Sequence, residues 1–211
     1  MRSEGWTVPR LWDDATVAIV AGGPSLTLRH VHRLAIAHGD GRIKVIAIND
    51  AVFPCWWADW LHACDPKWWE WHRNHGIDRF PGIRTTNVQN AICAVWGVHL
   101  VRTDGVGGFS DDPARVKTGK NGAYIAVQMA VHAGAKRILL LGVDMKPGAP
   151  GEMHWFGLHP DGDRHMPDFA GMRETWKTLV EPLKSRGVEV VNCSPDSALD
   201  CFPKARLEDV I

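Results

Sequence analysis

Short runs of apolar residues alternate with longer stretches of mixed polarity along this chain, and the two patterns predict different elements. Residues 16–20, 43–48, 60–63, 83–87, 98–102, 137–141 and 188–192 read as strands. They are short, rich in Val, Ile, Leu and Trp, and most close on Gly, Asn or Asp. Leu28, Val31, Leu34 and Ile36 form an imperfect apolar stripe on a helix over 27–38, which His38-Gly39-Asp40-Gly41 ends. Pro66 opens a helix over 67–75, and a long helix over 123–133 stops at Gly134. Asp168 begins a helix to residue 186 that Pro182 bends or splits, and Ser194-Pro195 begins a short terminal helix. Residues 104–113 read as a Gly- and Asp-rich loop. Residues 146–167 are long, polar and rich in Gly, Pro and His, a pattern expected of a lid over a binding site.

Strands without strict alternation are buried on both faces. Strands alternating with helices imply a mostly parallel sheet with helices on both faces and right-handed crossovers. The predicted architecture is a single Rossmann-like α/β domain over 1–211 with a lid at 146–167. In such sheets ligands bind beyond the carboxyl ends of the strands. Here those ends carry Ser25, Asn49, Asp65 and Asp144.

The most informative end is the first. Thr-Val-Ala-Ile-Val-Ala runs into Gly22-Gly23-Pro24-Ser25, then into a helical pattern. Such a junction presents backbone N–H groups to a phosphate. Gly22 and Gly23 let a ligand approach the main chain, Pro24 fixes the turn, and Ser25 offers a hydroxyl. Neither G-x-G-x-x-G nor a P-loop is present. Thr118-Gly119-Lys120-Asn121-Gly122 forms a second loop-to-helix junction, where the helix dipole favours an anion. Two such junctions point to a nucleotide diphosphate or a nucleotide monophosphate joined to a sugar. Asn49 and Asp50 can bond a ribose or a base edge, or simply make a turn. Asp65 before Pro66 suits a ligand contact or a helix cap, and Asp144 suits a ribose, a metal or the lid backbone.

Composition narrows the function class. The formal net charge of the 211-residue chain is zero, which argues against a protein that coats long DNA tracts. The first residues lack an apolar signal region, and no apolar run approaches the roughly 20 residues needed to span a bilayer, so a cytoplasmic protein is expected. The five cysteines are scattered, without C-x-x-C, as in a chain with reduced thiols. Six of the eleven tryptophans fall between positions 56 and 71, which predicts a core layer with an exposed Trp-rich surface for self-association. The lid carries His154, His159 and His165, with Asp161 and Asp163 between them. The spacing is neither H-E-x-x-H nor a standard zinc pattern, although Asp161-Gly162-Asp163 resembles the Asp-x-Asp that holds a divalent ion in some sugar transferases, and a lid histidine over a cleft suits general-base work near neutral pH.

Several segments resemble the bacterial sialyltransferases of glycosyltransferase family 42, and a related group of phage and bacterial proteins. The matching pieces are Gly22-Gly23-Pro24-Ser25-Leu26, Asn49, residues 118–130 with Gly134, Leu141-Gly142-Val143-Asp144, and residues 192–199 ending at Phe202-Pro203. The resemblance implies a metal-free single domain that binds a cytidine monophosphate sugar. It implies nucleotide contacts for Gly22, Gly23, Ser25, Asn49, Asn121 and Gly122, with His165 nearest to the family's base. The sequence departs from the family in three places. No Asn stands between Gly22 and Gly23, Asn121 replaces a Ser, and Tyr124 does not match the family's paired tyrosines. The Gly-Pro-Ser-Leu turn and the Gly-Val-Asp strand end also resemble archaeal pterin pyrophosphokinases, which bind ATP and magnesium.

The expected function is transfer of a sugar from a nucleotide-sugar donor, CMP-linked by the resemblance, to a hydroxyl acceptor such as a glycan or a modified DNA base. No cofactor is required. The donor site is expected at Gly22, Gly23, Pro24, Ser25, Asn49, Asp65, Thr118, Gly119, Asn121, Gly122 and Asp144, with His165, His154 or His159 as base. Two alternatives are a magnesium-dependent pyrophosphokinase acting on a small alcohol through Asp144 and Asp65, and a nucleotide-sequestering module without turnover.

Overall fold

The computed structural model describes residues 6–88, 96–149, 152–157 and 166–211. Seven parallel strands form one sheet: β1 (Thr16–Val20), β2 (Lys44–Ile48), β3 (Trp60–His62), β4 (Ile83–Thr86), β5 (His99–Leu100), β8 (Arg137–Leu141) and β9 (Glu189–Asn192). Their spatial order is β5-β4-β3-β2-β1-β8-β9. The helices are α1 (Leu28–Gly39), α2 (Pro66–Trp71), α3 (Gly122–His132), α4 (Phe169–Lys177) and α5 (Val180–Ser185). The expected mostly parallel α/β domain is the observed fold.

Alternation along each strand sorts the core into two layers. Val17 and Ile19 of β1, Ile46 of β2 and Ile138 and Leu140 of β8 face a cluster that includes α3, Trp176 of α4 and Leu183 of α5. Ala18, Val20, Val45, Ala47, Leu139 and Leu141 face the opposite cluster, which holds Val31, Leu34 and Ala37 of α1 and Trp68 and Trp69 of α2. A sheet covered on both faces must have strands apolar on both, which is the pattern the sequence shows. From β1 the chain steps through β2, β3 and β4 to β5, then returns to place β8 on the other side of β1. The order therefore reverses beside β1, and a crevice opens at the carboxyl ends of β1 and β8.

Helix starts follow local chemistry. Thr27 Oγ1 accepts from His30 N at 3.2 Å, and Thr27 N donates to His30 Nδ1 at 3.4 Å, a reciprocal cap on α1. Asp65 accepts from Lys67 N at 2.8 Å ahead of Pro66, and Asp168 accepts from Gly171 N at 2.9 Å.

Three sequence expectations need correction. Residues inside the expected 104–113 loop belong to β6 (Arg102–Val106), which pairs in parallel with β7 (Arg115–Thr118) as a separate small sheet. β6 is exposed throughout and carries no apolar alternation, so only its pairing reveals it. The 168–186 helix breaks at Thr178 and Leu179, before Pro182, which then sits in the first turn of α5 where a missing N–H is harmless. Thr178 Oγ1 donates back to Thr175 O at 2.6 Å and accepts from Gly108 N at 2.6 Å, which stabilises the break. No helix forms at Ser194-Pro195, because the side chains there bond across the sheet edge instead.

The tryptophan expectation also changes. Trp12, Trp60, Trp68, Trp69 and Trp176 are buried, and the other six are half-buried, so the cluster is mainly core with partly exposed edges. They fill the sheet's two faces and its rim, with Trp6 stacked on His99 at 4.6 Å and edge-on to Trp60 at 5.5 Å. Among the described residues, no helix is long and apolar enough to cross a membrane.

His62 lies fully inside β3, its Nδ1 3.0 Å from Thr85 Oγ1 and its Nε2 3.1 Å from Cys64 Sγ. Burial pushes its pKa down to about 3, so the folded protein holds a neutral ring. The unfolded chain binds a proton there near its ordinary pKa of 6.5, so this contribution to stability is present above 6.5 and is lost as pH falls toward 3. The urea midpoint is expected to drop between pH 6.5 and 4, with a shallower slope in His62→Gln. Equal slopes would show that other groups carry the acid sensitivity.

Candidate functional site

Three chain segments meet at the crevice and are tied together by backbone and short polar side chains. After β1, Ala21 N donates to Leu141 O at 2.8 Å and Gly23 N to Gly142 O at 2.9 Å. Ser25 N donates to Asp144 Oδ2 at 3.0 Å, and Ser25 Oγ to Ser194 Oγ at 2.9 Å. Ser194 Oγ also accepts from Gly142 N at 3.1 Å. Ser197 Oγ donates to Val143 O at 2.7 Å, and Ala198 N to Asp144 O at 2.8 Å. Asp144 is 5% exposed, so its carboxylate is a buried acceptor that orders the turn.

This geometry reassigns the glycines. A Cβ on Gly23 would run into the Asp144 carboxylate and the Gly142 carbonyl, so the absent side chain admits the neighbouring strand end rather than a ligand. Gly119 is likewise closed by the Tyr124 side chain, and a Cβ on Gly122 would meet Ile48 Cγ2 at 2.9 Å. Gly22 differs: its Cβ would lie 3.4 Å from Phe156 Cε1 and 3.5 Å from His154 Nδ1, at ordinary contact.

A cleft of about 170 Å³ opens beside Gly22, bounded by Pro24, Asn49, Asn121, Asp144 and Lys146. Met145, Met153, Phe156, Phe169 and Met172 give it an apolar wall. A roomier, shallower hollow of about 490 Å³ sits at the amino ends of the strands near Lys136 and Val188, away from these loops. Asn49 follows β2 in a left-handed conformation, φ 51°, and its buried Oδ1 has no hydrogen-bond partner among the described residues. Such a position stores strain, and a buried acceptor without a donor is the polar gap that a ligand N–H or O–H would fill. Asn121 caps α3, accepting from Tyr124 N at 3.0 Å, and itself lines the cleft just ahead of the helix start. The adjacent Asp50 is buried, with Oδ2 3.0 Å from Trp68 Nε1 and Oδ1 3.2 Å from His72 Nε2.

The segment above the cleft rests on the turn. Trp155 N donates to Gly22 O at 3.1 Å, and the His154 and Phe156 rings stack at 4.9 Å. Of the sequence-predicted residues, Gly22, Gly23, Pro24, Asn49, Asn121, Asp144 and His154 converge here. Ser25, Asp65, Thr118, Gly119 and Gly122 do not line the cleft, and Ser25 and Asp65 already have protein partners. His159, His165, Asp161 and Asp163 lie outside the described residues. Among the described residues, no three His, Cys, Asp or Glu side chains converge on a metal-sized position. Sequence reasoning did not name Met145 or Lys146 as ligand contacts, although both directly follow Asp144 and Lys146 opens the expected lid.

Gly23→Ala is expected to lower stability by about 1–3 kcal/mol through overpacking. Gly22→Ala is expected to stay within about 0.5 kcal/mol of the wild type. Urea denaturation of both variants checks the difference.

No protein-family model matches the chain, and no curated protein matches it. Two solved structures share its fold. The MAf glycosyltransferase from Magnetospirillum magneticum AMB-1 aligns over 100% of this chain with a TM-score of 0.67 and 12% identity. This chain spans only 37% of that protein's length. The sialyltransferase CstII from Campylobacter jejuni, solved with the substrate analogue cytidine-5'-monophosphate, aligns over 91% of this chain and 85% of its own, with a TM-score of 0.50 and 13% identity. The chain thus has the α/β fold seen in two glycosyltransferases.

Proposed function

We propose that this chain is a glycosyltransferase that takes a nucleotide sugar as donor and passes the sugar to a hydroxyl acceptor. The observation that carries the reading is the left-handed Asn49, whose buried Oδ1 has no donor among the described residues, beside Asn121 at the order reversal of a parallel sheet. A nucleotide answers both features. A base amino group or a ribose hydroxyl supplies the missing hydrogen bond to Asn49, and the phosphate lies toward the positive end of α3. The likeness in fold to two glycosyltransferases supports the same reading. CMP is the first ligand to try because CstII was solved with it.

In the proposed reaction the anomeric C–O bond to phosphate breaks while the acceptor oxygen bonds the anomeric carbon. A histidine of the 146–167 segment, His154 at the cleft or else His159 or His165, takes the acceptor proton. Fixed dipoles stabilise the charge that develops on the departing phosphate. The Met and Phe wall keeps water from competing with the acceptor.

A thermal-shift screen of nucleoside monophosphates and nucleotide sugars tests donor binding, since a ligand at 100 times its Kd stabilises by about 2.7 kcal/mol. Asn49→Gly keeps the left-handed backbone and removes the amide, so it is expected to weaken nucleotide binding about tenfold. Unchanged affinity would remove Asn49 from the site.

His154→Ala, His159→Ala and His165→Ala separate chemistry from binding. One of them is expected to keep donor affinity by calorimetry and lose roughly 10²–10⁴-fold in transfer rate. Loss of binding in all three would favour a sequestering role. A chelator is expected to leave donor binding intact, and release of the nucleotide would instead favour the magnesium-dependent pyrophosphokinase.

A further inference from the structure

We propose that Lys146 is the cation that binds the nucleotide phosphate in this cleft and stabilises it as it leaves, a role that rests on the nucleotide-sugar reading above. Of the amides in the turn after β1, only that of Gly22 has no protein acceptor among the described residues. The amides of Ala21, Gly23 and Ser25 are committed to Leu141 O, Gly142 O and Asp144 Oδ2, and Pro24 has no N–H. The cleft is also lined by two acids, Asp50 and Asp144, whose field opposes a phosphate unless a cation offsets it.

The nearby cations are not equivalent. Lys120 is paired with Asp168 at 2.9 Å, and Arg173 Nη1 donates to Met145 O at 2.9 Å. Among the described residues, Lys146 is the only Lys or Arg lining the cleft, and no hydrogen bond or ion pair occupies its ammonium group. Its root is held on both sides of the strained Met145, φ 52°. Asp144 O accepts from Ala198 N at 2.8 Å, and Met145 O accepts from Arg173. A fixed root with an exposed, unpaired ammonium group suits a phosphate, which lysine binds as a point charge.

The step balances without proton transfer to the leaving group. The anomeric C–O bond breaks with its electron pair on the phosphate oxygen, the acceptor oxygen bonds the anomeric carbon, and its proton goes to the base. The nucleotide departs with one more negative charge, which Lys146 meets with charge-assisted hydrogen bonds.

Calorimetry on the full chain tests the proposal with CMP, UMP, AMP and GMP and their nucleosides, using wild type, Lys146→Met, Lys146→Arg and Lys120→Met. Wild type is expected to bind one monophosphate more tightly than its nucleoside. Lys146→Met is expected to lose about 10–100-fold in affinity for that monophosphate and almost none for the nucleoside. Lys146→Arg should restore most of the loss, and Lys120→Met should stay within about twofold, because its ammonium is already paired. A monophosphate bound equally by wild type and Lys146→Met overturns this proposal and leaves the nucleotide-sugar reading standing. So does an equal loss in Lys146→Met and Lys120→Met. A wild type that binds none of the monophosphates overturns both.

Discussion

The site depends on how closely two neighbouring parallel strands end. β1 and β8 lie side by side, and both chains must turn at the same level above the sheet. The room for two turns exists because Gly23 has no side chain where the Gly142 carbonyl and the Asp144 carboxylate come in. Gly142 itself adopts φ 64°, a conformation in which a Cβ would meet Ala21 O. The contact is then closed by hydrogen bonds from Gly23 N to Gly142 O and from Ser25 N to Asp144. Ser194, brought in by β9, satisfies both turns at once. Backbone approach this close leaves no room for water, so each buried polar group has to find its partner within the three segments.

That knot sets the shape of the cleft. It pins the chain up to Asp144 and leaves the next residues to emerge at the mouth, where Met145 carries positive φ and Lys146 extends outward. On the other side of β1, Asn49 turns at φ 51°, and Asp50, bound by Trp68 Nε1, anchors the turn to α2. Lys120, φ 62°, makes the third left-handed turn at the start of α3. Two of the four non-glycine residues with positive φ, Asn49 and Met145, line the cleft, and Lys120 directly precedes Asn121, which also lines it. Each such conformation costs of order 1–3 kcal/mol and persists only where surrounding structure enforces it. Concentrated here, they pre-position polar groups on short connections from a rigid sheet.

The physical meaning of several sequence signals changed once neighbours were visible. Gly-Gly-Pro-Ser reads in one dimension as an open anion cradle, because its glycines and hydroxyl are what a phosphate site needs. In three dimensions the amides of Gly23 and Ser25 and the Ser25 hydroxyl bond to protein atoms, since a second strand end competes for them. The tryptophan cluster reads as a surface as readily as a core, because tryptophan serves both, and packing from α2 and the sheet decides for the core. Asp65 kept its helix-cap reading, since Pro66 and the Lys67 amide are local. Lys146 carried no pattern at all; its character follows from which cations around it are already paired.

The sequence by itself determined the layered architecture. Seven short apolar runs, each able to face a helix layer on both sides, admit little other than a parallel sheet, and capping residues mark the helix starts within a residue or two. It also pointed to the strand ends that border the cleft, because ligands gather at the carboxyl ends of such strands. Tertiary structure alone decided which of those polar groups remain free. Strand order is a long-range property: β1 pairs with β8 across more than a hundred intervening residues, and no local pattern announces that neighbour. Hydrogen bonds consumed by that pairing cannot also hold a ligand, so the division between residues that build the cleft and residues that face it belongs to the fold.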